Sequence, residues 1–325
     1  MTGLIADLVS EVQRTGRRQD SRYRTTPSSG THFVTMVKPE VLGPDTASDA
    51  MAEVVRTLGE ANVSVEGCAL LPAATYGELG FLQHHYPRLH RVATEGARAL
   101  TSAARGELKA LAGDLVAVAA FEAGAYDPAL TSAMLEERCR DGGIHKLGSG
   151  SYASIVELNG SRVVVLNGFV PDMAGSYLGT PSLVGLVECY SDREIAELRS
   201  DVLGPLNPAA APRASLRGAL HALVGGLSEG RNGVHLSAGH LEGMFQAWRF
   251  FGAPAGRDLE YTVLGRALAE RGVDLAAVTD FSFDHNVIGN RGETVAPHGA
   301  TENLRREDVL DLVQQWVGQR KELHT

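Results

Sequence analysis

The chain has 325 residues, 44% hydrophobic and 21% charged with no long run of one sign, which excludes a disordered chain and supplies material for a substantial core. With 30 basic against 39 acidic residues the formal net charge is −9, and no basic stripe offers the phosphate neutralisation a duplex-binding protein needs, so no nucleic acid is expected as a partner. The longest apolar run, about Leu115 to Phe121, falls far short of the roughly 20 residues that cross a bilayer, and Asp7 and Glu11 interrupt any signal-type stretch, so no membrane is expected either. Cys68, Cys139 and Cys189 are widely spaced and form no CxxC pair; they read as buried hydrophobes of a reducing, cytoplasmic protein. At roughly 100–200 residues per domain, the length suggests two domains or one with large insertions.

In chain order, Leu4, Ile5, Leu8, Val9 and Val12 at helical spacing predict a short helix, followed by an Arg-, Ser- and Thr-rich linker ending near Gly30. His32 to Lys38 reads as a strand closed by Pro39, which cannot donate to a sheet ladder. Asp45 to Leu58 has helical periodicity and Val63 to Leu71 reads as a second strand, a succession that points to an α/β or α+β sandwich. An Ala-rich helix is expected from Glu95 to Leu111, a strand from Leu115 to Phe121 and a helix from Ala129 to Arg140. Ser154 to Leu158 and Arg162 to Leu166 flank Asn159-Gly160, the dipeptide that best tolerates a tight hairpin turn. Leu183 to Tyr190 is a further strand, Asp192 to Leu203 is helical, and the tail from Leu259 is largely helical, closing with Arg306 to Trp316.

Gly148-Ser149-Gly150-Ser151-Tyr152-Ala153 matches a dinucleotide fingerprint and a kinase glycine loop in letters, but a strand follows where a helix should open, and no His-Arg-Asp or Asp-Phe-Gly exists. It reads as a turn. His84, His85 and His90, or Asp280, Asp284 and His285, lack the spacing of a metal cage and read as solvated faces; no protein-held metal is expected. His221, on an apolar segment, reads as structural.

The stronger pattern is Val37-Lys38-Pro39, Asn207-Pro208, Leu216-Arg217-Gly218 and Gly230-Arg231-Asn232-Gly233-Val234-His235-Leu236-Ser237, in that order. It gathers fixed cations, an amide and a histidine with glycines that allow close backbone approach. Arginine suits bidentate phosphate contact, and a histidine titrating near neutrality can be an uncharged nucleophile.

Together these motifs resemble those of the nucleoside diphosphate kinase family. Val37 to Glu40 matches its Val/Ile-Lys-Pro-(Asp/Glu), Leu203 to Ala209 its Leu-Gly-x-Thr-Asn-Pro-Ala, Leu216 to Gly218 its Ile-Arg-Gly, and Gly230 to Ser237 its Gly-Arg-Asn-x-x-His-Gly-Ser. The second strand with His85-Tyr86 resembles the family's nucleotide-facing helix, and Asn167 to Met173 with Asn232 to Ser237 resemble a longer branch carrying Asn-Gly-Phe-x-Pro-x-Met and Asn-Gly-Val-His-x-Ser. The resemblance implies a ferredoxin-like α/β (α+β) core, an antiparallel sheet with helices packed on one face. It also implies His235 as phosphorylated nucleophile, with Lys38, Tyr86, Arg217 and Asn232 on nucleotide phosphate or ribose. Arg199 stands one residue from the family's phosphate-binding arginine, whose strict register holds Ser200. Ser237 is kept beyond the histidine, and Gln246 falls near the glutamate that orients it.

Leu206 replaces a phosphate-contacting threonine, while Leu236 and Ala238 replace the Gly and Asp that flank the family's serine. The implied organisation is an N-terminal helix and linker (1–30), a core (31–255) split by an insertion at about 90–182, and a helical extension (256–325). The implied activity is ping-pong transfer of the γ-phosphoryl of ATP or another nucleoside triphosphate, with Mg²⁺ arriving on the nucleotide, through His235 to a nucleoside diphosphate or a specialised-metabolite acceptor. A homo-oligomer is expected. The alternative is a catalytically silent nucleotide-binding or regulatory protein of the same fold, for which the loss of the threonine speaks.

Overall fold

The computed structural model describes residues 2–22 and 29–322; residues 23–28 of the expected linker lie outside the described residues. In chain order the strands of the two larger sheets are β1 (Gln19–Arg22), β2 (Thr31–Val37), β3 (Ser64–Pro72), β4 (Ala117–Ala119), β5 (His145–Gly148), β6 (Ser151–Leu158), β7 (Ser161–Leu166), β8 (Leu183–Ser191) and β9 (Val234–Leu236). The chain forms two compact units, one of residues up to Tyr76, Thr180–Thr279 and the segment from Thr301, the other of Gly77–Gly179 and Asp280–Ala300.

The first unit is a mixed α/β fold built on a five-stranded antiparallel sheet of order β1-β3-β8-β2-β9. Setting aside the edge strand β1, the order of β3, β8, β2 and β9 is that of a split βαβ, ferredoxin-like sheet. The helix Ala47–Glu60 connects β2 to β3, and Leu216–Val224 lies in the connection from β8 to β9. The first of these buries Ala47, Ala50, Met51, Val54 and Leu58, a stripe at helical spacing. It stops where Asn62 takes a φ of 58°, with Val63 N–H donating to Leu58 O (2.9 Å) and Asn62 N–H to Gly59 O (3.0 Å), a left-handed cap that satisfies the last carbonyls.

Strands β2 and β8 are buried along their whole length, which explains why they read as continuous apolar runs. Phe33, Val37, Val187 and Cys189 pack with Ile5, Val9, Val12, Met51, Val54, Leu58, Leu216 and Leu220 on one face. On the other lies the helix His240–Ala247, so close to β2 that a Cβ at Gly243 would stand 2.7 Å from His32 O. Helices therefore cover both faces, not the single face the family resemblance implies, because sequence beyond β9 supplies a second layer. Strand β1, read from sequence as linker, lacks any β-forming residue and joins the sheet at its edge. Arg18 Nη2 donates to Phe250 O (2.5 Å), and Arg22 Nη1 meets the buried Glu188 (2.7 Å). The tail is helical at Val263–Glu270, Leu275–Thr279 and Arg306–Glu322, burying Val309, Val313 and Trp316.

In the second unit β4 runs parallel to β7, and β7, β6 and β5 pair antiparallel. Asn159 and Gly160, at φ of 47° and 77°, make the expected β6–β7 turn, and Gly150, at 60°, makes the β5–β6 turn within the glycine-rich segment. Asn167 is fully buried, with Oδ1 accepting from Tyr152 N–H (2.8 Å) and Nδ2 donating to Leu89 O (2.9 Å), so the first residue of the Asn-Gly-Phe motif ties β6 to the helix Pro87–Glu95. This unit begins at Gly77 rather than near residue 90, ends at Gly179 rather than 182, and takes in Asp280–Ala300 from the stretch read as a helical extension. The physical reason is the buried ion pair of Arg88 with Asp284 (2.9 Å), reinforced by Arg88 Nη1 on Asn286 (2.9 Å). The region between 95 and 125 is also more broken than its periodicity predicts. A helix Pro87–Glu95 and a 3₁₀ turn Gly96–Ala99 precede the helix Ser102–Ala112, and β4 keeps only three residues before turning. The three cysteines are buried thiols, and burial pushes Cys68 up to about 12 and Cys139 to about 11. Among the described residues, no helix is long and apolar enough to cross a membrane.

Candidate active site

Pairing of β2 with β9 joins motifs that lie about 200 residues apart in the chain. Met36 stands opposite His235, and one step beyond the ladder Lys38 N–H donates to Gly233 O (2.9 Å). Lys38 Nζ then donates to Asn232 Oδ1 (2.9 Å), whose amide nitrogen donates to Glu229 O (3.0 Å), while Glu40 Oε1 accepts from Gly233 N–H (3.0 Å). Gly233 is required here. Its φ is 78°, and a Cβ would meet Val41 and Leu227 at 3.0 and 3.1 Å.

Alternation along β9 sends Val234 and Leu236 into the helical core and His235 to the opposite face, where the helix His240–Ala247 begins. His235 Nε2 lies 2.9 Å from Glu242 Oε1. The same oxygen accepts from Ala238 N–H (3.1 Å) and from Gln246 Nε2 (2.9 Å). Gln246 Oε1 in turn accepts from Ser237 Oγ (2.6 Å), and that hydroxyl accepts from Val34 N–H on β2 (3.0 Å). The orientation of the Gln246 amide is forced, since reversing it would set its oxygen against a carboxylate. A continuous chain of bonds thus runs from the sheet backbone through Ser237, Gln246 and Glu242 to the ring. With its Nε2–H donated to a carboxylate, the neutral imidazole carries its lone pair on Nδ1. Burial holds His235 below the ordinary histidine value of 6.5; Glu242 pulls the other way, and Lys38 and Arg199 push further down.

The cations come from three elements. Lys38 ends β2 and is itself held below the ordinary lysine value by burial, with Glu40 opposing and Arg217 adding to the depression. Arg217 occupies the first turn of Leu216–Val224, capped by Ser215, and Nη1 donates to Gly204 O (2.8 Å). Beside it, Gly218 packs so tightly on the preceding loop that a Cβ would lie 2.1 Å from Pro212 O, which explains the Arg-Gly dipeptide. Arg199 stands in a widened π-helical turn, Leu198–Leu203, which continues the short helix Ile195–Glu197 where a single regular helix is expected from sequence.

Of the residues singled out from the sequence, Lys38, Arg199, Arg217, Asn232, His235, Ser237 and Gln246 all belong to the first unit and to this neighbourhood. Tyr86 belongs to the second unit, between the helices Phe81–His85 and Pro87–Glu95, its ring edge-on to His85 (4.9 Å between centroids). Asn207 caps the turn Pro208–Ala210 by accepting from Ala209 N–H (3.1 Å), and Leu206 is 53% exposed. Gln246 does not orient the histidine directly; it holds Glu242, which does. Glu242 was missed from sequence, although a glutamate at the third position of a helix opening on Gly239, one turn beyond the histidine strand, is the signal of a side chain that reaches back. Among the described residues, no three His, Cys, Asp or Glu side chains are grouped to hold a metal ion.

No family model matches the chain, and no curated protein matches it. Among solved structures, it is similar to an NDP kinase from Pyrobaculum aerophilum at 16% identity, over 69% of this chain and 96% of that one, with a TM-score of 0.34. The strand order of the first unit defines the fold independently of that neighbour.

Proposed function

We propose that the chain is a phosphotransferase that moves the γ-phosphoryl group of a nucleoside triphosphate through His235. The observation that carries this reading is the pairing of His235 Nε2 with the Glu242 carboxylate at 2.9 Å, beside Lys38, Arg199 and Arg217. A histidine so held is uncharged at neutral pH, has its nucleophilic Nδ1 fixed in direction, and has a carboxylate to receive the positive charge that develops on the ring. In the first half-reaction Nδ1 forms the N–P bond as the bond to the β-phosphate oxygen breaks, releasing the diphosphate. In the second, an acceptor oxygen attacks the phosphohistidine and the N–P bond breaks, returning the ring to its neutral form; where the acceptor is a hydroxyl, its proton leaves to solvent. Lys38 and Arg217 would meet the non-bridging oxygens, where most of the charge of a loose phosphoryl transition state resides. Asn232 holds Lys38 and would contact the nucleotide. Mg²⁺ carried on the phosphates would supply further charge neutralisation when bound.

The acceptor is a nucleoside diphosphate or a hydroxylated specialised metabolite. The test is incubation with γ-labelled ATP and Mg²⁺ and a search for acid-labile, base-stable label on the protein, followed by a panel of diphosphates and hydroxylated metabolites as acceptors. Label that is absent, or that persists in His235→Ala, refutes the phosphohistidine route and favours a nucleotide-binding protein without phosphotransfer.

A further inference from the structure

Arg199 is held from outside the sheet core. Its Nη1 donates to Glu302 Oε1 (2.9 Å) and Asn303 Oδ1 (2.6 Å), with a longer contact to Ala238 O (3.3 Å). Both side chains belong to the segment Thr301–Asn303, which leads into the closing helix Arg306–Glu322. This segment is built against the histidine loop. Asn303 N–H donates to Ala238 O (3.1 Å), Thr301 is fully buried, and a Cβ at Gly239 would stand 2.7 Å from Thr301 O. Asn303 itself adopts a φ of 60°, a conformation asparagine tolerates better than most residues and one that turns its side chain back at this point. Among the described residues, Arg199 Nη2 makes no hydrogen bond, and the side chain stays 25% exposed. All three acceptors therefore occupy Nη1 and leave Nη2 available, while Nε is buried without a hydrogen-bond partner among the described residues.

We propose that Glu302 and Asn303 are positioning residues of the candidate site, holding Arg199 by Nη1 so that its Nη2 edge is presented to the phosphoryl group that His235 handles. The proposal rests on the phosphotransfer reading above and assigns part of the chain beyond the core to the reaction centre. A guanidinium on a free side chain must be ordered at the moment of reaction. One already clamped through Nη1 offers a preorganised donor at smaller entropic cost. Partial neutralisation by Glu302 also lets Arg199 act on the same ring as Lys38 without the full repulsion of a second bare cation.

The experiment is a double-mutant cycle between Arg199→Gln and the pair Glu302→Gln with Asn303→Ala, made in the full chain and read in two ways. The first readout is the titration of the His235 ring by NMR without nucleotide. Lys38, Arg199 and Glu242 are among the charged groups acting on that ring. Arg199→Gln is expected to raise the His235 pKa in the wild-type background and to have little further effect once Glu302 and Asn303 are replaced, because the guanidinium is then no longer held beside the ring. The second readout is the single-turnover rate of His235 labelling by ATP–Mg²⁺. Glu302→Gln/Asn303→Ala is expected to lower it roughly tenfold, the low end for outer partners of a reacting group, and to lower it no further in Arg199→Gln. Asn303 is exposed, which favours a folded variant, and Glu302→Asp keeps the carboxylate and restores part of the rate. An Arg199→Gln effect on the His235 titration that survives unchanged in the double variant overturns the proposal. So does an equal loss of rate in both backgrounds. Wild-type protein that takes no label refutes the phosphotransfer reading instead, while the titration still decides whether the segment positions Arg199.

Discussion

Removing the charge of Glu242 is the perturbation that probes the candidate site most directly. Glu242 Oε1 accepts three bonds, from His235 Nε2 (2.9 Å), Ala238 N–H (3.1 Å) and Gln246 Nε2 (2.9 Å), so the carboxylate is fixed before any ligand arrives. In the proposed phosphotransfer, uptake of a phosphoryl group at His235 Nδ1 would make the ring cationic, and the bond from Nε2–H to the carboxylate would change from a neutral-donor to a fully charge-assisted one. Such a bond contributes about 1.5–3 kcal/mol. At about 1.4 kcal/mol per factor of ten, Glu242→Gln, which keeps the size and one acceptor oxygen, is expected to slow phosphorylation by roughly 10–100-fold. Glu242→Ala also releases Gln246 and the Ala238 amide and is expected to be slower still. The direction on the histidine can be read separately. Glu242 is the group that pulls His235 upward against burial, so its neutralisation lowers the ring's pKa further. Single-turnover labelling with γ-labelled ATP, quantified as acid-labile phosphohistidine, gives the rate, and NMR titration gives the ring. A Glu242→Gln protein that labels at the wild-type rate would show that the carboxylate takes no share of the charge and would refute the reasoning.

Lys38→Ala and Arg217→Ala should each lower the phosphorylation rate by roughly 10²–10³-fold, the scale for removing one preorganised charge stabiliser; full activity in either rejects its role. Because burial keeps His235 neutral above its depressed pKa, the labelling rate should stay flat through neutral pH and decline only in acid, below the ordinary histidine value of 6.5; a decline centred above that value in a pH–rate profile contradicts the assignment. His32, buried between Glu188 (3.0 Å) and Tyr190, is likewise held below 6.5 by burial, so the unfolded chain binds more protons as pH falls. Its contribution to stability is whole above 6.5 and is lost below it, and an unfolding midpoint measured at pH 7.5 and again at pH 5 should be lower in acid. Gly218→Ala would drive a Cβ to 2.1 Å from Pro212 O and should cost about 1–3 kcal/mol in denaturant unfolding while displacing Arg217. A midpoint equal to that of the wild type would mean the loop yields freely.

Local chemistry made much of the molecule legible in advance. Strands β2, β3 and β8 are long and apolar, the helix Ala47–Glu60 has a clean 3.6-residue stripe, and Asn159-Gly160 admits few structures other than a tight turn. The same holds for the residues that fix backbone geometry around the candidate site, such as Gly233 and Gly218, since a glycine beside a functional side chain marks a close approach whatever the fold. Strand β1 stayed hidden because Gln19, Asp20, Ser21 and Arg22 have no preference for extended structure and are recruited only by an available sheet edge and by the buried Glu188.

The order of the motifs in the chain was enough to nominate Lys38, Arg217, Asn232 and His235 together, because each belongs to a short pattern whose residue types suit phosphate chemistry. What the sequence could not decide was which acidic group faces the histidine. Gln246 and Glu242 sit one helical turn apart on the same face, and only the docking of His240–Ala247 against β2 through Gly243 determines that the carboxylate reaches the ring and the amide supports the carboxylate. Nor could it bring Glu302 and Asn303 to Arg199, a pairing across about 100 residues made by the packing of the closing segment on the histidine loop. Periodicity and turn chemistry act over a few residues and are written in the chain. The partners of a buried charge are set by which surfaces meet, and that is a property of the folded unit alone.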